Sequence, residues 1–398
     1  MRRVRESLSR RSALAVAPQK NEQESVGTFW LQIGHQPEAK TAAHYFSAGR
    51  KEHRRRKMGM SKVIAVEKID DWLDTLNETH RIFAPFKTGG ATRFEGYQRG
   101  KELDLERFAV SSPKEAFFPA TETIFNFKLG KENVSETVVS LESQVKNQNQ
   151  IVFGARCCDA KGLATFDTVF SGSGYQDPYF KKKRNTTLLI TIACHQPANT
   201  CFCTSVGGGP ADPKGADILL TSLDDKYLVQ TFSTKAKTLL AGSFFTDATQ
   251  KDLKEAKDQN EAARRKLKAF SVGGVSQKLT KIFESEYWNE KAAKCLSCGA
   301  CTYTCPTCYC FNLTDEGKST GERVRTWDSC MFPQFTLEAS GHNPRPKKDH
   351  RLRNRVNHKF SYFPTQHQML SCVGCGRCIR HCPVSVDIRE IVRGVQEV

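Results

Sequence analysis

The sequence predicts an α/β domain followed by an α-helical domain that is rich in cysteine. From about residue 60 to residue 247, short apolar runs typical of buried strands alternate with helical patterns. All 16 cysteines lie between Cys157 and Cys382, and eight of them form two runs with the same spacing. We therefore divide the chain into an N-terminal extension (1–59), an α/β domain (60–247), a helical connector (248–294) and a cysteine-rich domain (295–398).

The N-terminal extension has no helical or strand periodicity and ends in a basic run at residues 50–57. We interpret it as disordered or as the product of an over-long gene model, because Met58 and Met60 directly precede strand-like sequence. A twin-arginine export signal is the alternative, since residues 9–12 (SRRS) resemble one. The apolar region that follows is shorter than the roughly 7–15 residues that such a signal needs.

Each element of the α/β domain and of the connector is predicted from a local pattern. Apolar residues at helical spacing predict helices, and uninterrupted runs of branched apolar residues predict strands that are buried on both faces. The predicted helices cover residues 66–76, 135–148 and 163–170, with two more in the connector at 250–270 and 275–294. The predicted strands cover residues 151–154 and 188–193, and a hairpin over 218–231 turns at residues 224–225.

The two cysteine runs carry the most specific signal in the chain. Each reads C-x2-C-x2-C-x3-C-P, the spacing that binds a cubane [4Fe–4S] cluster. A single CxxC would equally fit zinc or a redox disulfide, whereas two complete runs with both prolines indicate two iron–sulfur clusters. The members of the runs are Cys295, Cys298, Cys301 and Cys305, and then Cys372, Cys375, Cys378 and Cys382.

We expect the two runs to exchange their fourth ligands, as the runs of two-cluster ferredoxins do. The distance from Cys305 to Cys372 is 67 residues, and the sequence between them is helix-prone at 349–359. This favours an α-helical ferredoxin-type domain over a minimal β-hairpin ferredoxin. Gly299 and Gly376 fit a backbone that passes close to an inorganic core. The predicted ligand sets are Cys295, Cys298, Cys301 and Cys382 for one cluster, and Cys305, Cys372, Cys375 and Cys378 for the second.

Cys308, Cys310 and Cys330 remain outside this ligand scheme. We interpret them as bystanders or as residues that shield a cluster. The basic segment 345–359 contains seven Lys and Arg and one Asp. It could neutralise cluster charge or dock an acidic partner, but a solvated face is the default interpretation.

A further cysteine group lies in the α/β domain. Cys157 and Cys158 follow one predicted strand, Cys194 ends the next, and Cys201 and Cys203 lie in the loop after it. Because sites in α/β folds collect at the carboxyl ends of strands, this arrangement predicts a metal site. The alternative is a set of buried free cysteines, which pack as small apolar residues.

The formal net charge of +17 does not indicate nucleic-acid binding. Residues 1–57 hold 13 Lys and Arg against 5 Asp and Glu, so 8 of the 17 charges lie there. Each oxidised cubane with four thiolates also adds about −2 that the formal count omits. Because thiolate ligands need a reducing compartment and no stretch reaches the ~20 apolar residues of a membrane span, we expect a cytoplasmic protein without an integral membrane segment.

Seven segments of the chain together resemble those of one family. They are SPKEAFFP (112–119), GARCCD (154–159), CFC (201–203), RVRTWDSC (323–330), SGHNPRP (340–346), HKF (358–360) and CVGCGRC (372–378). The family comprises the iron–sulfur beta subunits of cytoplasmic sulfhydrogenase-type [NiFe] hydrogenases and the A subunit of anaerobic sulfite reductase. Its members usually have proline at the position of Cys157, so Cys158 is the better ligand candidate of the two. The resemblance implies a third [4Fe–4S] cluster on Cys158, Cys194, Cys201 and Cys203.

The resemblance implies an electron-transfer subunit of a cytoplasmic multisubunit oxidoreductase. Its partners would be a flavoprotein subunit that reacts with NAD(P)H or ferredoxin, and a catalytic subunit of hydrogenase or sulfite/sulfur reductase type. The glycines at 207–209 lack the G-x-G-x-x-G spacing of a nucleotide loop. Two alternatives stay open: a stand-alone iron–sulfur reductase that acts on a sulfur compound at the N-terminal cluster, and a redox-sensing regulator.

Overall fold

Two β-sheets organise the structure, a computed structural model that describes residues 60–131, 137–145, 148–172 and 174–398. The strands are β1 (Ser61–Ala65), β2 (Arg81–Thr88), β3 (Ala91–Gly96), β4 (Thr121–Lys131), β5 (Thr137–Ser143), β6 (Gln150–Arg156), β7 (Thr187–Ile192), β8 (Ile218–Leu223), β9 (Lys226–Thr231), β10 (Phe245–Asp247), β11 (Phe311–Gly317) and β12 (Thr320–Trp327). The larger sheet has the order β10-β1-β9-β8-β7-β6-β2-β3, and the smaller has the order β11-β12-β4-β5.

Eleven α-helices accompany these sheets in the described residues. They are α1 (Ile69–Asn77), α2 (Cys157–Phe170), α3 (Pro178–Thr186), α4 (Gln250–Arg265), α5 (Val275–Lys281), α6 (Tyr287–Ala292), α7 (Ala300–Tyr303), α8 (Lys348–Asn357), α9 (Phe363–His367), α10 (Arg377–Arg380) and α11 (Ile388–Glu397). A π-helical turn, His358–Tyr362, joins α8 to α9. No helix in the part of the chain that the structure describes is both long enough and apolar enough to cross a membrane.

The centre of the larger sheet is parallel and buried on both faces. Strands β2, β6, β7 and β8 run parallel, with antiparallel strands on each side. Every residue of β6 and β7 is buried, as expected of central parallel strands. Ile151 and Phe153 pack into a core with α1, whereas Val152 packs on the opposite face with α2. The predicted strands at 151–154 and 188–193 and the hairpin at 218–231 are confirmed.

The predicted helix at 135–148 is wrong, because strand β5 occupies much of this segment. Residues Val138 and Val139 are β-branched and favour extended backbone, and β5 pairs antiparallel with β4. Five side chains on β4, β5 and β11 remain largely exposed although they are apolar; these are Leu129, Val138, Val139, Leu141 and Leu313.

The connector is helical, as predicted, with different limits. Helix α4 ends at Arg265 rather than near residue 270, and it starts at a capping box formed by Thr249 and Asp252. The second predicted connector helix is two short helices, α5 and α6. These pack with α8 and α11 in a separate apolar core that includes Leu279, Trp288 and Val356.

The segment between the two cysteine runs combines helix with strand. Helix α8 and the following π-helical turn occupy the region that the sequence predicts as helical. A β-hairpin, β11–β12, precedes them, and β12 pairs antiparallel with β4 of the α/β part. The expectation of an α-helical ferredoxin-type domain is therefore corrected, because this part of the chain also contributes two strands to the smaller sheet. The limits of the predicted domains stay a prediction, and the extension at 1–59 lies outside the described residues.

Candidate iron–sulfur sites

The two cysteine runs fold in the same way. The third residue of each has a left-handed backbone, with φ of 55° at Ser297 and 65° at Gly374. The fifth residue does as well, with φ of 75° at Gly299 and 71° at Gly376. Gly299 and Gly376 directly precede the four-residue helices α7 and α10. The repeat in the sequence is therefore also a repeat in backbone conformation.

Glycine is needed in these loops because protein atoms approach them closely. A Cβ on Gly299 would lie 2.8 Å from the ring of Phe332, and a Cβ on Gly376 would lie 2.5 Å from the carbonyl oxygen of Thr200. Both positions also have the positive φ that L side chains rarely adopt. Glycine is therefore required at these two positions because a side chain would overlap neighbouring protein atoms and would strain the left-handed backbone.

Four predicted ligands of the first cluster surround one apolar cavity, which we call site 1. These are Cys295, Cys298, Cys301 and Cys382. Leu352, Val356 and Ile391 contribute apolar walls. Backbone N–H groups donate to two of the sulfurs, from Ser297 to Cys295 at 3.4 Å and from Val386 to Cys382 at 3.2 Å. Such N–H···S bonds are the kind of contact that tunes a cluster.

The predicted ligands of the second cluster, which we call site 2, are also neighbours. Burial raises the pKa of the Cys378 thiol, and the nearby sulfurs of Cys375, Cys305 and Cys372 act in the same direction. The loop of Cys305 is tied to the second run, because Thr307 Oγ1 donates to the carbonyl oxygen of Ser371 at 2.9 Å. Cysteines of both runs therefore lie close together at site 2, and the crossed ligand sets stay a prediction.

The cysteines of the α/β part form a further cavity, which we call site 3. Strands β6 and β7 are parallel neighbours, with Arg156 opposite Ile192, so Cys158 and Cys194 meet at one edge of the sheet. Burial raises the pKa of Cys203 to about 12, and the nearby sulfurs of Cys194 and Cys201 contribute. The cysteines that line the cavity are Cys158, Cys194, Cys201 and Cys203, together with Cys375 of site 2.

Cys157 does not line this cavity. Its thiol is 1% exposed and donates to the carbonyl oxygen of Ile192 at 3.9 Å. It therefore behaves as a small apolar residue of the sheet.

The three sites are in contact in the order 1, 2, 3. Cys378 of site 2 also lines the cavity of site 1. On the other side, the N–H of Phe202 donates to the carbonyl oxygen of Gly374 at 2.8 Å, and Cys201 Sγ lies 3.6 Å from the carbonyl oxygen of Cys375. Backbone of one cysteine loop thus lies directly on backbone of the next.

The three cysteines outside the ligand scheme lie beside site 2. Cys308 is buried, and a hydrogen bond from it lowers the pKa of Cys305. A hydrogen bond with Cys330 lowers the pKa of Cys310 to about 6. Their interpretation as bystanders or shielding residues stays a prediction.

Three residues of the basic segment 345–359 differ from its default interpretation as a solvated face. Arg351, Arg355 and Lys359 of the basic segment are buried, so a solvated face is the wrong interpretation for these three. Their spacing of four residues, beside Leu352 and Val356, is a signal in the sequence that could have placed them on an inward helical face.

The donor sets fit cubane clusters better than single metal ions. Nowhere in the described ranges do three His, Cys, Asp or Glu side chains stand close enough together to hold one metal ion. The four ligands of a cubane bind four different irons, so their sulfurs stand farther apart than those around a single zinc. All 16 cysteines have free thiols and are available as donors.

Comparisons with known proteins agree with this chemistry. Residues 294–386 match the model of the 4Fe-4S dicluster domain family. The chain is 33% identical to sulfhydrogenase 2 subunit beta of Pyrococcus furiosus over 337 residues, which is 83% of this chain and 97% of that protein. The resemblance noted in the sequence is thereby confirmed. An identity of this size over most of both chains establishes that this protein belongs to the iron–sulfur beta subunits of the sulfhydrogenase family.

Proposed function

We propose that this chain relays single electrons through three [4Fe–4S] clusters between two partner subunits of an oxidoreductase complex. The observation that carries the proposal is the gathering of 12 cysteines into three adjacent sites. Clusters held on loops that contact one another would form a chain of one-electron carriers. Membership of an iron–sulfur beta-subunit family supports this role.

The proposed ligands are those of sites 1, 2 and 3. A bound cubane would supply one-electron chemistry at each site. The protein would hold the thiolates, exclude water through apolar walls such as Leu352 and Val356, and donate N–H groups to the sulfurs. The ligand sets are Cys295, Cys298, Cys301 and Cys382 for site 1; Cys305, Cys372, Cys375 and Cys378 for site 2; and Cys158, Cys194, Cys201 and Cys203 for site 3.

The two ends of this series are the proposed contacts with partners. Cys298 is the exposed cysteine of the chain, and its neighbour Leu296 is 63% exposed. At the other end, Cys201 borders a second surface cavity, together with Lys266 and Arg393. We propose a flavoprotein subunit at one end and a catalytic subunit of hydrogenase or sulfite/sulfur reductase type at the other. The relative's name, sulfhydrogenase, supports hydrogen or sulfur as the terminal chemistry.

A second candidate function is a stand-alone reductase that acts on a sulfur compound at site 3. It is favoured by the surface cavity beside Cys201, where four basic residues outnumber two acidic ones and so suit an anion. This candidate predicts that the isolated chain, given a reduced dye, consumes sulfite or polysulfide. The relay predicts reversible cluster reduction without consumption of either compound.

The test of the relay is anaerobic affinity purification from the native host, with iron counted per chain and the co-purifying subunits identified. We expect about 12 irons per chain and both a flavoprotein and a nickel or sirohaem subunit. A count of about 8 irons would reject site 3. A chain that purifies without any redox partner would contradict the relay.

A further inference from the structure

Three buried cations lie around site 2. Lys114, Arg355 and Lys359 are 5%, 4% and 2% exposed. None of the three forms an ion pair with a carboxylate of the residues that the structure describes. A buried charge without a counter-charge costs several kcal/mol, so such groups persist where an anion stabilises them.

The contacts of Lys359 point to the cysteines of site 2. Its Nζ lies 3.5 Å from Cys305 Sγ, and it donates to Thr307 Oγ1 and to the carbonyl oxygen of Ser371, both at 2.9 Å. Ser371 directly precedes Cys372. The ammonium group therefore bridges the two loops that supply the proposed ligands of this cluster.

The guanidinium of Arg355 lies between site 1 and site 2. Its Nη1 donates to Cys308 Sγ at 3.3 Å, and its Nη2 donates to the carbonyl oxygen of Cys301 at 2.8 Å. The same side chain lines the cavity of site 1. Its charge therefore acts on both proposed clusters.

Lys114 approaches from the α/β part of the molecule. Its Nζ donates to the carbonyl oxygens of Cys308 at 3.0 Å and Thr302 at 3.3 Å, and lies 4.2 Å from the ring centroid of Trp327. It contacts the ligand loop without touching a ligand sulfur. Its ammonium group therefore lies beside the loop that carries Cys305 and adds positive charge there.

The buried basic residues near site 3, Arg156 and Arg377, donate to oxygen atoms and not to cysteine sulfur. Arg377 forms two hydrogen bonds with the carboxylate of Asp159, at 2.6 and 3.0 Å, so its charge is neutralised locally. The Nη2 of Arg156 donates to the carbonyl oxygens of residues 105–107, at 2.6 to 3.1 Å. Arg380, which is only partly buried, lies farther from its cysteine sulfur, with Nη1 3.9 Å from Cys201 Sγ. Among the described residues, the closest contact of a buried cation with a proposed ligand sulfur is therefore that of Lys359 at site 2.

Charge balance predicts the consequence for electron transfer. An oxidised cubane with four thiolates carries about −2, and one added electron brings it to about −3. The electron enters the cluster without a change in covalent bonds. Fixed positive charge stabilises the reduced form more than the oxidised form, because the attraction grows with the negative charge. In a buried, low-dielectric site this difference is large.

We propose that Lys114, Arg355 and Lys359 make site 2 the most readily reduced of the three clusters, so that an electron rests there between its arrival and its departure. This inference rests on the proposed function, since it requires clusters at all three sites. These three residues are positioning residues for charge and do not ligate iron.

The test is an anaerobic redox titration followed by EPR, on the purified full-length chain. The signal of site 2 is assigned as the one that Cys305→Ser alters. We expect Lys359→Gln to shift the midpoint potential of this signal to more negative values and to leave that of site 3 unchanged. Lys359→Arg, which keeps the charge, should keep most of the original potential. Arg355→Gln should shift the signals of both site 1 and site 2.

The matched control is Arg353→Gln, on the same helix as Arg355. Arg353 donates to Glu284 at 2.8 Å, and its partner is largely exposed, so none of the midpoints should move. If Lys359→Gln lowers the iron content, Lys114→Met tests the same charge effect without touching a ligand.

The failures of the two proposals are distinguishable. A wild-type chain without cubane signals overturns the proposed function. A wild-type chain with three clusters, whose midpoints stay fixed in both Lys114→Met and Arg355→Gln, overturns the charge inference alone. The charge inference also fails if the three wild-type clusters titrate with site 2 as the last to be reduced.

Discussion

At the scale of single residues, neighbouring cysteines of this chain differ in what surrounds them. Cys157 and Cys158 are adjacent in the sequence, and only Cys158 lines site 3. Cys157 instead donates to the carbonyl oxygen of Ile192 inside the sheet. The direction of each side chain at the start of helix α2 separates a ligand candidate from a packing residue.

Serine substitutions should separate these two roles. We expect Cys201→Ser to lower the iron content by about four irons per chain, because a cubane that lacks one of its four thiolates is labile. Cys157→Ser, the matched control, should keep the wild-type content of about 12 irons. Iron and acid-labile sulfide assays on anaerobically purified chains measure both. Equal iron content in the two variants would contradict the ligand role of Cys201.

At the scale of elements, the close contact of two loops connects site 2 to site 3. A Cβ on Gly374 would lie 2.6 Å from the backbone nitrogen of Cys203 and from the carbonyl oxygen of Phe202. Helix α2 approaches the first cysteine run in the same manner, since a Cβ on Gly162 would lie 2.8 Å from the carbonyl oxygen of Pro306. Glycines thus allow the elements of the two parts to touch through their backbones.

Gly374→Ala should destabilise the chain by more than the cost of a positive φ, because the new Cβ would also overlap the neighbouring loop. Gly90 is the control, because it also has a positive φ, of 77°, but no atom lies within 4 Å of the position that a Cβ would take there. We expect Gly90→Ala to destabilise the chain by about 1–2 kcal/mol, the cost of left-handed backbone for a residue with a Cβ. Gly374→Ala should add about 1–3 kcal/mol for overpacking and should slow electron transfer between the clusters of sites 2 and 3. Denaturant unfolding measures the loss of stability, and flash reduction measures the rate of electron transfer. Equal losses of stability in the two variants would refute the importance of the contact at Gly374.

At the scale of the whole molecule, a buried ion pair joins the α/β part to the second cysteine run. Arg377 and Asp159 have side chains that are 1% and 2% exposed. Arg377 also donates to the carbonyl oxygen of Ala109 at 3.1 Å. Asp159 directly follows Cys158, and Arg377 directly precedes Cys378. The pair therefore fixes the position of site 3 relative to site 2.

Removing one partner of this pair should cost much more than removing a partner of an exposed pair. We expect Asp159→Asn to destabilise the chain by about 3–5 kcal/mol, because Arg377 would remain buried without its carboxylate. The control is Asp315→Asn, which breaks a pair with Arg323 of similar geometry at 2.6 Å but with side chains 48% and 42% exposed, where about 0–1 kcal/mol is expected. Anaerobic denaturant unfolding gives both values. Equal losses would show that burial of the pair has no effect on stability.

The N-terminal extension offers a second prediction for the whole chain. A chain that starts at Met60 should hold the same iron and bind the same partners as the full chain, since the three proposed sites lie in residues 158–382. The same comparison tests the regulator alternative through DNA retention at low and high salt. Salt-dependent retention that survives the truncation would favour the regulator and count against the relay.

Some of the fold and site could be predicted from local sequence, and some could not. Strands β6 and β7 are largely apolar runs, so their burial could be predicted from consecutive residues. A helix is predicted in place of strand β5, because its residues also fit a helical pattern. The segment is a strand because it pairs with β4. The β11–β12 hairpin joins β4 across about 200 residues, and no local pattern signals such a pairing.

The sequence by itself determined the chemistry of this protein, namely which cysteines are spaced to hold cubanes and which family the chain belongs to. Cluster spacing is a local property, because loops of two or three residues fix how far apart their thiolates can reach. The tertiary structure alone decided the order of the three sites and the burial of Lys114, Arg355 and Lys359 beside the middle one. These features depend on contacts between residues such as Asp159 and Arg377, which are 218 positions apart and meet only when the two parts of the chain pack together.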